Sequence, residues 1–131
     1  MYQAPAKSVG LDIENARTLR RADRLARRVC TQLELDDLAK LAENERGRRI
    51  LRLWTCKEAA LKAVGVGLRG GARNIEVDFS QQGSPALTNL LGDASGWTLL
   101  FPEIHSDIVC SLVIRGNDWR VVERRFSVHS T

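Results

Sequence analysis

From Glu45 to Val64 the chain carries an apolar stripe at helical spacing, Ile50, Leu51, Leu53, Trp54, Leu61 and Val64, and the stripe stops at Gly65. Apolar residues recurring every three to four positions lie on one side of an α-helix. Glycine accepts the positive φ that closes a helix, and Asn44 is placed to cap the start. This long helix is therefore predicted to be the backbone of the domain. After Gly65-Val66-Gly67-Leu68-Arg69-Gly70-Gly71 the period changes to two, with Ile75, Val77 and Phe79 alternating with Asn74, Glu76 and Asp78. Further strands are predicted over Trp97–Phe101, Ile108–Ile114 and Trp119–Phe126, separated by turns at Gln82-Gly83-Ser84-Pro85 and Gly116-Asn117-Asp118. The expectation is an α+β fold in which an antiparallel meander packs on the long helix.

Upstream, Val9-Gly10-Leu11-Asp12-Ile13-Glu14 alternates apolar and acidic residues. It reads as a short strand with Leu11 and Ile13 inward and Asp12 and Glu14 side by side on the opposite face. Thr18 then offers an N-cap, and Leu19, Ala22, Leu25, Ala26 and Val29 recur at helical spacing. That phase leaves Arg20, Arg21, Arg24, Arg27 and Arg28 toward water. Asp36 and Asp37 suit the first turn of a short helix running to Leu41.

With 131 residues, 44% hydrophobic and 27% charged, the chain has the balance of one globular domain. Residues 9–126 are assigned to it, residues 1–8 to a flexible N-terminus or linker, and residues 127–131 to a tail. No apolar run approaches the roughly 20 residues of a membrane span, and the opening Met1–Pro5 lacks the plan of a secretory signal. A cytoplasmic protein with no membrane partner is expected. Cys30, Cys56 and Cys110 are odd in number and far apart, which fits neither a disulfide framework nor a zinc site, so they are read as small buried hydrophobes. His105 and His129 form no local metal or nucleophile motif. The net charge of +4 is locally concentrated, with six arginines between Arg17 and Arg28. Such a patch attracts nucleic acid, an acidic protein or a phosphate-rich cofactor alike.

On the predicted long helix Trp54, Glu58 and Lys62 are spaced four apart and share a face, whereas Lys57 points elsewhere. Should that face pack near the Asp12–Glu14 strand, three carboxylates and a lysine would converge, the oxygen-rich set that a hard cation such as magnesium takes. Each fragment alone has a plainer reading. A Glu and Lys at i,i+4 commonly form a surface ion pair worth a few tenths of a kcal/mol. An acid-x-acid strand is commonly a solvated face, and Trp54 is read as a core anchor.

The two segments together, Gly10-Leu11-Asp12-Ile13-Glu14 followed by Leu53-Trp54-Thr55-Cys56-Lys57-Glu58-Ala59-Ala60-Leu61-Lys62-Ala63-Val64-Gly65-Val66-Gly67-Leu68, resemble the paired signature of 4'-phosphopantetheinyl transferases. The tryptophan form of the helix is that of the larger, surfactin-synthetase-activating type, whose C-terminal, magnesium-binding half the chain resembles. This resemblance implies a phosphopantetheinyl transferase-like fold. It also implies transfer of phosphopantetheine from coenzyme A to a serine of an apo acyl, peptidyl or aryl carrier protein, in the presence of Mg2+. By the same resemblance Asp12 and Glu14 bind magnesium, and Glu58 completes the metal site or takes the proton from the attacking serine. Lys62 lies by the pyrophosphate, and Lys57 is a further phosphate contact. Arg20, Arg21 and Arg24 become candidates for steering an acidic carrier protein or holding the nucleotide phosphates. The larger type builds its site between two similar halves, and small holo-acyl-carrier-protein synthases build theirs between subunits of a trimer. A homo-oligomer or a separate partner half is therefore implied, with a catalytically incomplete half acting as an interaction module as the alternative. A basic nucleic-acid-binding or metal-dependent nuclease module is the remaining reading. Aromatic residues at 5% and the lack of an RNA-recognition or zinc-finger motif weigh against it, so no nucleic acid partner is expected.

Overall fold

The computed structural model describes residues 8–16, 22–65, 71–79, 85–117, 119, 120, 122 and 124. In chain order these form β1 (Val9–Asn15), α1 (Ala22–Val29), α2 (Gln32–Ala39) and α3 (Glu43–Val64). A single 3-10 turn (Ala72–Asn74) follows, then β2 (Ile75–Asp78), β3 (Ala86–Leu90), β4 (Trp97–Leu100) and β5 (Ile108–Arg115). The fold is α+β, with antiparallel strands packed on a long helix, as the periodicity predicts.

Helix α3 is the spine because its apolar residues serve two clusters at once. Ile50, Leu53 and Cys56 pack with Ala26, Val29, Cys30, Leu38 and Val77. Further along, Ala59, Ala60, Leu61 and Ala63 pack with Ile75, Leu90 and Val113. Gly65 closes the helix at φ 77°, where its N–H bonds to the Leu61 carbonyl. The start differs from expectation: the N-cap is Ala42, without a side-chain cap, and Asn44 sits inside the first turn. The Arg46 guanidinium secures this end instead, donating to the carbonyls of Leu38 and Leu41 and so tying α2 to α3. Helix α2 likewise begins earlier than Asp36 and Asp37 suggest. A reciprocal cap between Thr31 and Glu34 sets its start, and such a cap outweighs the preference for acidic residues in a first turn.

The strands form two sheets rather than one meander. One has the order β1-β5-β4 and the other pairs β2 with β3. Neighbouring hairpin strands do pair, but β1 reaches across the chain to lie antiparallel to β5, with Asp12 opposite Ser111. Strand β3 had no clear signature, since Thr88 and Asn89 interrupt its apolar alternation. Of the segment Trp119–Phe126, residues 119, 120, 122 and 124 are not in a strand. Beyond Gly116 the Trp119 indole folds back to donate to the Arg115 carbonyl. The other residues of that segment lie outside the described residues, as do Thr18, Arg20, Arg21 and the turn at 82–84.

The facing of β1 is the reverse of the expectation. Val9, Leu11 and Ile13 are 49%, 47% and 48% exposed, whereas Gly10 is buried and Asp12 and Glu14 are partly covered. Gly10 is the reason. A Cβ placed on it would lie 1.7 Å from the Ala59 carbonyl oxygen and 2.7 Å from the Ala63 nitrogen. Strand and helix thus meet backbone to backbone, and the residues sharing Gly10's face must turn toward α3.

All three cysteines are free and buried. Burial pushes the Cys30 and Cys56 thiols up to about 12, which keeps them protonated and inert. Among the described residues no helix is long and apolar enough to cross a membrane.

Gly10→Ala should test the strand–helix contact directly, because the clash is with backbone and cannot be relieved by a rotamer change. We expect a loss of about 3 kcal/mol or more in urea unfolding. A variant as stable as the parent would contradict the contact.

Candidate active site

The close approach of β1 to α3 brings together residues 46 positions apart in the chain, Asp12 from the strand and Glu58 from the helix. Lys62 closes the group one turn beyond Glu58. Its Nζ lies 2.9 Å from Asp12 Oδ1 and donates at 3.1 Å to the Leu11 carbonyl. Lys62 thus pairs with the strand's Asp12 rather than with Glu58, on which it acts only through its charge. Asp12 Oδ2, by contrast, is buried and has no hydrogen-bond partner. Such an atom ordinarily has a partner, because burying a bare carboxylate oxygen is unfavourable.

The Glu58 carboxyl is raised above the usual carboxylate range, first by its burial and then by the charge of Asp12. Lys62 opposes the shift and Glu14 adds to it. Glu58 thus feels the charges of Asp12, Lys62 and Glu14 across one seam between strand and helix, where Lys62 is in direct contact with Asp12. Among the described residues no three acidic, histidine or cysteine groups form a ready-made metal cage. The donor chemistry nevertheless fits magnesium. This ion takes one or two carboxylates and fills its other positions with water and phosphate oxygens, and Asp12 Oδ2 is a carboxylate oxygen with no hydrogen-bond partner among the described residues.

Lys57 requires a correction. It is fully buried, with Nζ 2.7 Å from Glu34 Oε1 and bonded to the carbonyls of Ala72 and Ile75. Three acceptors take up the three donors of the ammonium, so Lys57 has no proton to offer a phosphate. Trp54 is partly buried against the first core cluster, in keeping with an anchoring role. Beneath the seam, the hydroxyls of Thr55 and Ser111 lie 2.7 Å apart in the buried interior and link α3 to β5. Neither residue was singled out from the sequence, because a lone Ser or Thr carries no periodic signal.

Of the predicted partner-binding arginines, Arg20 and Arg21 lie outside the described residues. Arg24 is exposed on α1 and, with Arg27, Arg28, Gly71, Ala72 and Arg73, lines a cleft of about 480 Å³. Arg73 belongs to this cleft through tertiary structure alone: its guanidinium donates to the Arg27 carbonyl at 2.7 Å. A second cavity, of about 430 Å³, lies against the N-terminal half of α3 and is lined by Arg48, Arg52, Phe101 and His105 among others.

The charge coupling predicts two titration shifts of opposite sign. Replacing Lys62 with Met removes a cation that favours ionised Glu58, so the Glu58 titration should move further up. Asp12→Asn removes a like charge, so it should move down. Carboxyl 13C NMR of Glu58 in metal-free buffer reads both, and shifts of the same sign would refute the arrangement.

Residues 8–113 match the 4'-phosphopantetheinyl transferase superfamily. The chain is 29% identical over 114 residues to 4'-phosphopantetheinyl transferase HetI of Nostoc sp., a match covering 87% of this chain and 46% of that protein. It is 38% identical over 74 residues to the holo-[acyl-carrier-protein] synthase of Shewanella piezotolerans, covering 55% of each. The chain thus spans about half the length of these relatives. In fold it resembles the holo-(acyl-carrier-protein) synthase of Bacillus anthracis, solved in complex with CoA (3',5'-ADP). The TM-score is 0.68 at 22% identity, over 84% of this chain and 96% of that one. The Thermotoga maritima holo-[acyl-carrier-protein] synthase gives the same TM-score, 0.68, at 23% identity. With the superfamily match covering the strand, the long helix and the seam between them, the chain belongs to the 4'-phosphopantetheinyl transferase superfamily.

Proposed function

We propose that this chain transfers 4'-phosphopantetheine from coenzyme A to a serine of an apo carrier protein, in a magnesium-dependent reaction in the cytoplasm. The observation that carries this reading is the seam of Asp12, Glu58 and Lys62 in a chain of this superfamily. In the reaction, the serine oxygen bonds to the pantetheine-side phosphorus as the bond from that phosphorus to the 3',5'-ADP oxygen breaks. Phosphoryl transfer of this kind asks a protein mainly for positioning and charge neutralisation.

Each residue has a part suited to its surroundings. Asp12 and Glu58, with Glu14, would hold the magnesium ion, which when bound supplies charge neutralisation at the pyrophosphate. Lys62 has two donors engaged and a side chain 53% exposed, so its remaining N–H can meet a phosphate oxygen and offset charge on the leaving ADP. Glu58 has a raised proton affinity, which suits it to accept the serine proton if it is not wholly committed to the metal. Arg24 and its cleft present positive charge to an acidic carrier protein or to nucleotide phosphates. The half-exposed Val9, Leu11 and Ile13 form an apolar strip on which a second copy or a partner half would seat.

A second reading, a catalytically incomplete half acting as an interaction module, is favoured by the chain's matching only about half of its curated relatives. Transfer of a fluorescent pantetheine analogue from coenzyme A to apo carrier proteins separates the two. We expect labelling that requires magnesium and falls at least about 100-fold in Glu58→Gln. Complete absence of labelling with every carrier offered would favour the module. Reversing charge with Arg24→Glu should raise the KM for the carrier roughly fivefold at low salt, and less at high salt. An unchanged KM would remove Arg24 from carrier recognition.

A further inference from the structure

Among the described residues, the most deeply buried charges lie outside the seam. Lys57 and Glu34 are both fully inaccessible side chains, paired at 2.7 Å. Removing two such charges from water is costly enough that an apolar pair of similar size is commonly as stable or more so. Stability alone therefore does not account for them, and their bonds show what they hold. Lys57 donates to the carbonyls of Ala72, at 2.9 Å, and Ile75. Glu34 accepts from Thr31 N through Oε1 and from Val77 N through Oε2, each at 2.8 Å. One ion pair thus joins the start of α2, the middle of α3, the 3-10 turn and β2.

Arg73 sits between the two carbonyls that Lys57 grips. Its guanidinium reaches the Arg27 carbonyl and helps to line the cleft that Arg24, Arg27 and Arg28 present from α1. Four guanidinium groups around one cleft repel one another, and an untethered turn would leave the exposed Arg73 held beside α1 only by its bond to the Arg27 carbonyl. We infer that Glu34 and Lys57 are positioning residues, which fix the backbone of residues 72–77 and thereby hold Arg73 in the arginine cleft in readiness for an anionic partner. On the reading that this cleft receives an acidic protein surface, the pair sets how much of the cleft's charge is gathered before binding, which lowers the ordering cost of association. Lys57 also lies next to Glu58 in sequence, so the tether to the cleft and the seam share one rigid helix.

The test is a double-mutant cycle read by binding. A hexaglutamate peptide is titrated into 15N-labelled protein, with the Gly71 and Arg73 amides as reporters, at a temperature where unfolding curves show each variant native. Lys57→Met should weaken peptide binding roughly fivefold in the parent, and should have no further effect in the Arg73→Ala background. Glu34→Gln, which keeps the side chain's size while removing its charge, should behave in the same way and stands in should Lys57→Met fail to fold. In the unmodified protein the coupling is reciprocal, so saturating peptide should slow hydrogen exchange of the Val77 amide, which is bonded to Glu34. Equal weakening in both backgrounds, no peptide binding by the unmodified protein, or Val77 exchange indifferent to peptide would each overturn the inference. A chain that binds the peptide in this coupled way yet transfers no pantetheine would retain the positioning role and lose only the transfer reading.

Discussion

The contact on which the rest depends is the bare backbone of Gly10 against the Ala59–Ala63 turn of α3. Two elements can approach this closely only where no large side chain intervenes, and the small alanines on α3 answer the glycine on β1. Once the strand is seated there, the facing of every β1 residue is fixed by the pleat. Asp12 must turn toward Lys62 and Glu58, while Val9, Leu11 and Ile13 must turn away. The seam and the exposed apolar strip are thus two consequences of one packing event. A residue with a Cβ at position 10 would disturb both.

The same constraint explains what could be read in advance. Helix α3 and strands β1, β2, β4 and β5 were legible because their apolar periods are clean, whereas Asp12, Glu58 and Lys62 were legible only as separate fragments whose meeting depended on how β1 packs on α3. Alternation shows that the two faces of a strand differ, but not which one turns inward. Hydrophobicity pointed to Leu11 and Ile13, and sterics at Gly10 decided otherwise. The start of α2 follows Thr31 and Glu34, whose spacing is that of a reciprocal cap, rather than the acidic pair Asp36 and Asp37. Arg73 could not have been joined to Arg27 from the sequence, because their proximity depends on how β2 is tied to α3.

Lys57 and Lys62 show how far a residue's role depends on helical phase. They stand on one helix, five residues apart, and so project about 140° from each other. Lys62 faces the strand edge, where it stays half open to water and joins a carboxylate seam. Lys57 faces the second layer, where it is sealed against Glu34 and two carbonyls. Neighbouring Glu58 is rotated about 100° from Lys57 and belongs to the seam. Adjacent letters in a motif are thus divided between a reactive surface and its internal support.

The distribution of charge places a condition on the proposed chemistry. The seam sets the charges of three carboxylates against that of one ammonium, so a pyrophosphate approaching it unaided meets net repulsion at short range, where screening by salt is weakest. The Glu58 carboxyl, raised first by its burial and then by the charge of Asp12, carries a trace of this excess. On the proposed function a divalent cation would reverse the sign locally and make binding of a diphosphate at the seam conditional on metal. The arginine cleft carries the opposite excess and attracts anions without any such help. On that proposal the protein would present one surface that attracts anions directly and another that admits them only with a cation. The proposed transfer, which brings an acidic partner and a diphosphate together, would use that division.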